Sequence, residues 1–151
     1  MKDKFFLLIG VLVISGSFYQ VLRLPAPERF QKEFALKTGE KVIAVEVADT
    51  EEERAKGLSG RDALAEGRGI LFIFPESGYH GFWMKEMKFA IDIVWIDESW
   101  RVIGIEGLVG PETFPLIFYP PGPVKYALEV NAGESQRLGI KPGDVMLEFR
   151  Q

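Results

Sequence analysis

The chain has no cysteine and only one histidine, His80, among its 151 residues. The absence of cysteine excludes disulfide bonds, thiolate metal sites, a cysteine nucleophile and acylation of an N-terminal cysteine. A transition-metal site normally recruits two or more ligands in concert, and no second histidine can join His80. The serines lie in no strained-elbow motif, so serine hydrolysis is discarded. We expect no metal and no cofactor, with His80 in an exposed turn.

The chain also lacks a basic stripe and a phosphate-binding loop. Its formal net charge is -4, whereas nucleic-acid binding depends on clustered Lys and Arg that neutralise phosphates. Nucleic acid is therefore not expected as a partner. The glycines between residues 57 and 69 have neither P-loop nor dinucleotide spacing. No EF-hand spacing organises the acidic residues that could form a hard-cation site, namely Asp92, Asp97, Glu129 and Asp144.

One long uncharged run extends over residues 5–22, preceded by Lys2 and Lys4. A membrane-spanning helix needs about 20 apolar residues, and a signal-peptide core about 7 to 15. We expect residues 1–24 to be retained as a signal anchor that contacts the membrane through residues 5–22. The alternative is cleavage near Ser15, which leaves a secreted or periplasmic protein. The N-terminal lysines favour a cytoplasmic N-terminus and an extracytoplasmic domain.

The residues that follow this segment are enough to form one domain with its own hydrophobic core. Residues 25–40 are mixed and charged, contain Pro25 and Pro27, and are interpreted as a linker. We therefore place a single domain at residues 41–151.

Period-two alternation over Val42–Ala48 predicts a strand, and Thr50 with Glu53 predicts a capping box that begins a short helix. Prolines between residues 107 and 124 predict a long ordered loop. Further strands are predicted at 70–74, 81–85, 90–97, 100–105, 126–130 and 145–149. The fold class is mainly β: a small barrel-like or strongly bent antiparallel sheet with one short helix, preceded by the N-terminal hydrophobic helix.

With these motifs placed, the domain resembles the uncharacterised bacterial and archaeal family called domain of unknown function 192. The resemblance covers about Val42 to Glu148. Its motifs are specific in order and spacing: Ala48–Thr50 with the EEERAKGL of 51–58, Gly60–Arg61, the GILFIF of 69–74, the FWMK of 82–85, Ile91–Asp92–Ile93, Trp95–Ile96–Asp97, Leu128–Glu129, Ala132–Gly133 and Gly143–Asp144.

This chain departs from the family pattern mainly just after Lys85. The family usually has Met where Ser59 stands, Asn-Thr where Glu86-Met87 stand, and Pro where Ala90 stands. The resemblance implies a compact β-rich domain that is often exported, and it implies no settled activity.

One polar group stands out: Lys85, Asp92, Arg61 and Glu129. Asp92 lies on an apolar strand, where burial of a carboxylate raises the free energy of the folded state unless the charge is paired. We expect a backbone donor or a basic partner, with Lys85, Arg54 or Arg61 as the basic candidates. Lys85 and Asp92 are predicted on consecutive strands of an antiparallel meander, where they could face each other. This group either fixes the meander or supplies a general acid or base.

Aromatic side chains form the second candidate site. Aromatics usually belong to the core. If some of them border an open groove beside the proline-rich loop, they would suit a sugar, a peptide or a lipid-like ligand. The candidate binding residues are Trp83, Phe114, Phe118 and Tyr119.

Two functions therefore remain open. The favoured one is a non-enzymatic accessory or binding module, anchored to the membrane, whose aromatic and proline-rich surface takes a small molecule, glycan or protein. The alternative is a metal-independent, hydrolase-like enzyme that uses Asp92 as acid or base with Lys85 and Arg61.

Overall fold

The computed structural model describes residues 33–149. Along these residues the strands and helices are β1 (Glu33–Thr38), β2 (Lys41–Ala48), α1 (Glu51–Lys56), β3 (Arg68–Gly78), β4 (Phe82–Trp83), β5 (Ile91–Ile96), β6 (Val102–Val109), β7 (Ile117–Phe118), β8 (Val124–Asn131), α2 (Glu134–Leu138) and β9 (Leu147–Phe149). A turn of 3-10 helix, Pro111–Thr113, lies between β6 and β7. The β-rich class is confirmed, with more short helices than the one predicted.

The predicted hydrophobic segment 5–22 lies outside the described residues. Within residues 33–149, no helix has the length and apolar character needed to cross a bilayer. Strand β1 falls inside the segment 25–40 that the sequence assigned to a linker. The sheet therefore begins before Lys41.

The main sheet has the strand order β6-β5-β8-β3-β2-β1-β9. Its neighbours are antiparallel except for β2 and β3, which run parallel. A parallel pair needs a long crossover connection, usually helical. The chain between β2 and β3 provides this crossover and carries α1. The prediction of a purely antiparallel sheet was therefore wrong, because the sheet is mixed.

The sheet is also not closed into a barrel, because β6 and β9 form its two ends. An isolated bridge between Arg101 and Val145 brings the residues before β9 against the start of β6. Backbone bonds flank this bridge, from Val102 N to the Asp144 carbonyl at 2.8 Å and from Met146 N to the Trp100 carbonyl at 2.9 Å. The sheet is thus bent, with its two ends meeting at one corner only.

Side-chain alternation along the strands gives the sheet two buried faces. The first core packs Ile70, Ile93 and Trp95 of the sheet against Phe82 of β4 and against Leu58, Leu64 and Met84 of the loops. The second core packs the opposite sheet face against Leu138, Ile140 and Met146 near the C-terminus. Strands β3, β5 and β8 lie between two apolar layers.

The capping box before α1 is confirmed. Thr50 Oγ1 accepts a hydrogen bond from Glu53 N at 3.2 Å, and Glu53 Oε2 accepts one from Thr50 N at 3.1 Å. Helix α1 ends at Lys56 and is followed by Gly57, whose positive φ of 48° favours glycine. The segment that follows turns back over the first core, because Leu58 and Leu64 are both buried there.

Strands β4 and β7 form a separate two-stranded ribbon, in which Phe82 pairs with Phe118 and Trp83 with Ile117. The predicted meander joined residues 81–85 directly to residues 90–97. This was wrong, because β4 leaves the main sheet to pair with the proline-rich loop. Phe82 is buried and fastens the ribbon to the first core through edge contacts with Phe72 and Trp95, at centroid distances of 4.8 and 5.3 Å.

Candidate functional site

Asp92 is almost fully buried, at 1% exposure, and its carboxylate is surrounded by donors. Oδ1 accepts from the backbone N–H groups of Leu108 and Gly133, at 2.9 and 3.0 Å. Oδ2 accepts from Ser135 N at 3.1 Å and from Ser135 Oγ at 2.5 Å. The expectation of a backbone-donor partner is confirmed, and none of these donors belongs to Lys85 or Arg61.

These bonds give Asp92 a structural task. The residue before α2 is Gly133, which has no side chain to cap the helix. Asp92, on β5, caps the helix instead by accepting hydrogen bonds from the N–H groups at the start of α2. Burial alone would raise the pKa of Asp92, but the bonds from Ser135, Leu108 and Gly133 together hold it below its ordinary value. A carboxylate held ionised in this way is a poor general acid at neutral pH.

Arg61 and Glu46 form a buried ion pair above the first core. Nη1 and Nη2 of Arg61 lie 2.9 and 2.8 Å from the two carboxylate oxygens of Glu46. The side chains are 14% and 2% exposed. The two parallel bonds match the planar guanidinium to the carboxylate, the strongest geometry for such a pair.

Glu46 belongs to a row of glutamates that crosses the sheet. Glu46 is in register with Ile70, which is in register with Glu129. Ile93 continues the row from Glu129 to Glu106. Residues in register on neighbouring strands point to the same face. Glu46, Glu129 and Glu106 therefore share the first-core face, separated by isoleucines.

Glu129 is the member of this row with the most unusual environment. It is only 6% exposed. Burial raises its pKa to about 8, although the positive charge of Arg61 acts in the opposite direction. Glu129 is therefore mostly protonated at neutral pH and changes charge just above it.

The three predicted catalytic candidates are not brought together. Asp92 is in register with Val130, which belongs to the second core, whereas Arg61 lies above the first core. Lys85 is exposed, and its Nζ lies 5.7 Å from the centre of the Trp83 ring. No hydrogen bond or ion pair links any two of Asp92, Lys85 and Arg61 in the described part of the chain. Arg61 and Glu129 are the two predicted polar residues that do interact.

The ribbon presents an exposed apolar surface, which we call the aromatic platform: Trp83, Phe114, Ile117 and Tyr119. Their exposed fractions are 51%, 45%, 42% and 58%. Trp83 pairs across the ribbon with Ile117 and makes an edge contact with Phe114, with ring centres 6.0 Å apart. Three of the four predicted binding aromatics therefore lie together at the surface.

Gly81 allows two side chains of the platform to pack against the backbone. A Cβ atom at this position would stand 2.7 Å from Ile117 Cγ2 and 2.8 Å from Tyr119 Cε1. These distances are shorter than real carbon contacts, so both side chains rest on the bare backbone of Gly81. The platform is thus defined partly by a residue without a side chain.

The other aromatic candidates face inwards. Phe118 is half-buried against the first core, Trp95 is buried within it, and Trp100 stacks on Tyr126 with ring centres 3.9 Å apart. His80 stacks on Phe74 at 3.6 Å, with Nε2 3.0 Å from the Glu76 carbonyl.

No group of three or more His, Cys, Asp or Glu side chains in the described residues could hold a metal ion. An open depression of about 470 Å³ lies apart from both candidate sites, between the β1–β2 turn and the loop after α2. Its lining includes Lys41, Lys141 and Asp144.

Sequence reasoning missed Glu46 as a site residue. Its place on a strand between Val45 and Val47 is a detectable signal, because an acidic residue there needs a partner if its face is buried. The partner, Arg61, comes from a loop, and no periodic pattern links the two.

The fold and the site together define a β-rich domain with an open mixed sheet, a buried Glu–Arg–Glu cluster and an exposed aromatic platform. The DUF192 family, described as Uncharacterized ACR, matches residues 34–147. The chain belongs to this family.

Two crystal structures resemble the chain along most of its length. One, from Sinorhizobium meliloti 1021, carries a name that proposes a transcription regulator; it is 31% identical, with a TM-score of 0.74, and the match covers 82% of this chain and 98% of that one. The other is a protein of unknown function from Novosphingobium aromaticivorans DSM 12444, also 31% identical, with a TM-score of 0.70 and coverage of 76% and 83%. No curated protein matches.

Proposed function

We propose that the protein is a non-enzymatic binding module that docks a partner protein through the aromatic platform. The observation that carries this proposal is the exposure of four apolar side chains on and beside one ribbon, with Trp83 at 51% and Tyr119 at 58%. Soluble domains seldom expose contiguous large apolar groups unless they contact something. Trp and Tyr are also enriched among the residues that dominate binding energy at protein interfaces.

The exposure of the platform favours a protein over a small molecule. Small ligands bind in concave sites that enclose most of their surface. The platform side chains are 42 to 58% exposed on and beside a two-stranded ribbon, and Gly81 places no side chain between Ile117 and Tyr119. Protein partners cover exposed apolar groups of this kind and surround the apolar centre with polar groups. Lys85 beside Trp83 supplies one such group.

The proline-rich loop holds the platform in place before a partner arrives. Pro121 packs closely on β6, since a Cβ atom at Gly104 would lie 2.9 Å from its Cγ. Thr113 Oγ1 donates to the Gly110 carbonyl at 2.7 Å and fixes the turn before Phe114. Order that exists before binding lowers the entropy lost on binding.

The features of Asp92 do not support the hydrolase alternative. Its oxygens are occupied by the donors of Leu108, Gly133 and Ser135, and it is almost inaccessible to a substrate. The name of the Sinorhizobium structure does not favour a DNA-binding role here either, because a net charge of -4 opposes contact with phosphates.

We infer that the module works on the extracytoplasmic side of a membrane, held there by residues 5–22. The support is the uncharged run itself together with Lys2 and Lys4 before it. Protease should digest the domain when it is added to cells whose outer envelope layers have been removed and whose plasma membrane is intact. Protection of the domain until the cells are lysed would contradict this location.

Site-specific photo-cross-linking in the cells that make the protein tests the binding function. In one variant, a photoreactive phenylalanine analogue replaces Tyr119. In the control variant, the same analogue replaces Val42 on β2, a residue that is 46% exposed. We expect a defined protein cross-link at position 119 that is absent at position 42. The captured partner is then identified, purified and titrated against the full chain.

Substitution Trp83→Ala should remove most of the cross-link and weaken the purified complex by at least about tenfold. Cross-links to lipid or glycan alone, or the same products from both positions, would overturn the proposal of a protein partner.

A further inference from the structure

Strand β6 contains a bulge directly opposite Asp92. The pairing of β5 with β6 changes register between Ile91 and Ile93. The single residue of β5 between them, Asp92, therefore faces two residues of β6, Gly107 and Leu108. A bulge of this kind bends its strand and redirects a side chain.

Leu108 has a backbone conformation that leucine rarely adopts. Its φ is 56°, in the left-handed region, where the Cβ atom of an L-residue comes too close to the following carbonyl oxygen. Glycine is favoured at such a position because it has no Cβ atom. The buried carboxylate of Asp92 stabilises this conformation, since its Oδ1 accepts a hydrogen bond from Leu108 N at 2.9 Å. The fold thus keeps a leucine where glycine would be less strained.

Packing within the domain does not explain this leucine. Its side chain is 72% exposed, more than any other large apolar side chain in residues 33–149. By contrast, Trp100, which also has a positive φ, stacks its ring on Tyr126. Glu86, the third residue other than glycine with a positive φ in the described chain, is charged and lies in an exposed turn. Strained residues of this kind cluster at functional sites.

Leu108 begins a stretch of chain that leads directly into the platform. Half of the ten exposed large apolar side chains that the structure describes fall in this stretch, namely Leu108, Phe114, Leu116, Ile117 and Tyr119. Single exposed apolar residues are ordinary on a protein surface, whereas a concentration of them marks an interaction site. The stretch therefore extends the apolar surface beyond the platform.

The separation of Leu108 from the platform is small enough for one interface. Phe114 follows six residues later, so the two Cα atoms are no more than about 22 Å apart. Bonds from Thr113 N to the Gly110 carbonyl at 3.1 Å and from Leu116 N to the Thr113 carbonyl at 2.8 Å fold the connection into turns. A specific interface buries about 800 Å² of each partner, a patch about 30 Å across. One protein can therefore cover both positions.

We propose that Leu108 is a second apolar anchor for the protein that docks on the platform. This inference rests on the proposed function, because it assigns both contacts to the same partner. The bond to Asp92 fixes the backbone of Leu108 before the partner arrives, which lowers the entropy lost on binding. Leucine is less frequent than tryptophan among the residues that dominate interfaces, so its contribution should be smaller than that of Trp83.

Photo-cross-linking from position 108 tests whether the partner touches Leu108. The photoreactive analogue used at Tyr119 replaces Leu108 in the full chain, in the cells that make the protein. In the control variant it replaces Leu147, a leucine of β9 that is 58% exposed. We expect the same protein to be cross-linked from positions 108 and 119, and not from position 147.

Two substitutions separate the side chain of Leu108 from its backbone. Leu108→Asn replaces the apolar group, and asparagine adopts the left-handed conformation more readily than leucine. Leu108→Met keeps an apolar side chain. We expect Leu108→Asn to unfold at the same temperature as the parent or a higher one, yet to bind the purified cross-linked protein at least about threefold more weakly. Leu108→Met and the control Leu147→Asn should bind within about twofold of the parent.

A cross-link from position 119 but not from position 108 would overturn the second anchor and leave the proposed function standing. Cross-links from position 108 to lipid, to a second copy of the chain or within the chain would also overturn it. Capture of no protein from either position would overturn the proposed function and this inference together. A lower unfolding temperature of Leu108→Asn would show that the leucine stabilises the fold, and equal affinity of that variant would show that the partner does not use the side chain.

Discussion

Arg61 donates hydrogen bonds to both carboxylate oxygens of Glu46, at 2.9 and 2.8 Å, although Arg61 lies in a loop and Glu46 in a strand. This pair binds the segment 57–64, which follows α1, to β2 in a region with little access to water. Each charge is stabilised by the other through two parallel hydrogen bonds.

Removal of one partner should therefore destabilise the domain strongly. We expect Arg61→Met to lower the free energy of unfolding by about 3 to 5 kcal/mol, since it removes the guanidinium that bonds both carboxylate oxygens of the buried Glu46. The double variant Glu46→Leu/Arg61→Met should recover most of this loss, because it removes both charges of the pair. Urea unfolding of both variants and the parent measures the difference. Equal destabilisation by the single and double variants would show that packing, not charge, explains the effect.

The buried carboxyl of Glu129 should make the domain less stable as the solution becomes alkaline. Burial raises its pKa from 4.5 to about 8 in the folded protein. The unfolded chain therefore loses this proton first. The stabilisation is complete below about pH 4.5, declines as pH rises, and is gone above about pH 8, a total of about 5 kcal/mol. Glu129→Gln should abolish this contribution, which urea unfolding at several pH values can measure.

The matched control for this experiment is Glu106→Gln, which changes a half-exposed glutamate in the same row. Its unfolding free energy should follow the parent at every pH. If Glu129→Gln also keeps the parent's pH dependence, Glu129 is not the titrating group.

Asp92→Asn should destabilise the domain at neutral pH by about 2 to 4 kcal/mol. The amide NH₂ would face N–H donors at the start of α2 that now donate to a carboxylate oxygen. Asp62→Asn, on an exposed residue, is the control and should change stability by less than about 1 kcal/mol. Thermal unfolding compares the two. Unchanged or increased stability of Asp92→Asn would contradict the capping role and return Asp92 to the catalytic candidates.

Gly81→Ala should distort the platform without affecting the main sheet. The new methyl group would meet Ile117 and Tyr119 at 2.7 and 2.8 Å, so these side chains must move. We expect a stability loss of about 1 to 3 kcal/mol and changed NMR signals confined to the ribbon. Gly122→Ala, which would meet Ile103 at an ordinary 3.5 Å, is the control. Equal stability and equal NMR changes in the two variants would show that the platform tolerates a side chain at position 81.

The sequence predicted much of the secondary structure for simple local reasons. The alternation of Val42–Ala48, the capping box at Thr50 and the apolar run at 70–74 each reflect local patterns, and each corresponds to an element of the structure. The parallel pairing of β2 with β3 was missed, because it depends on how the crossover folds back and not on any local pattern.

The sites were predicted only in part, for related reasons. The need of Asp92 for donors follows from its apolar neighbours, but the donors are backbone groups of Leu108, Gly133 and Ser135, which have no sequence signature. Lys85 and Asp92 were predicted on consecutive strands of a meander, where they could face each other. Strand β4 instead pairs with β7 in the ribbon, so the strand beside Lys85 is not a neighbour of β5 in the main sheet.

Titration of the purified partner against the full chain tests the central claim most directly, that the aromatic platform is a protein-binding surface. Calorimetry would compare the parent with Trp83→Ala and with Leu147→Ala, a change at an equally exposed apolar residue on β9. We predict that Trp83→Ala weakens binding by at least about tenfold and that Leu147→Ala changes it by less than about twofold. Equal affinities for the parent and Trp83→Ala would contradict the account.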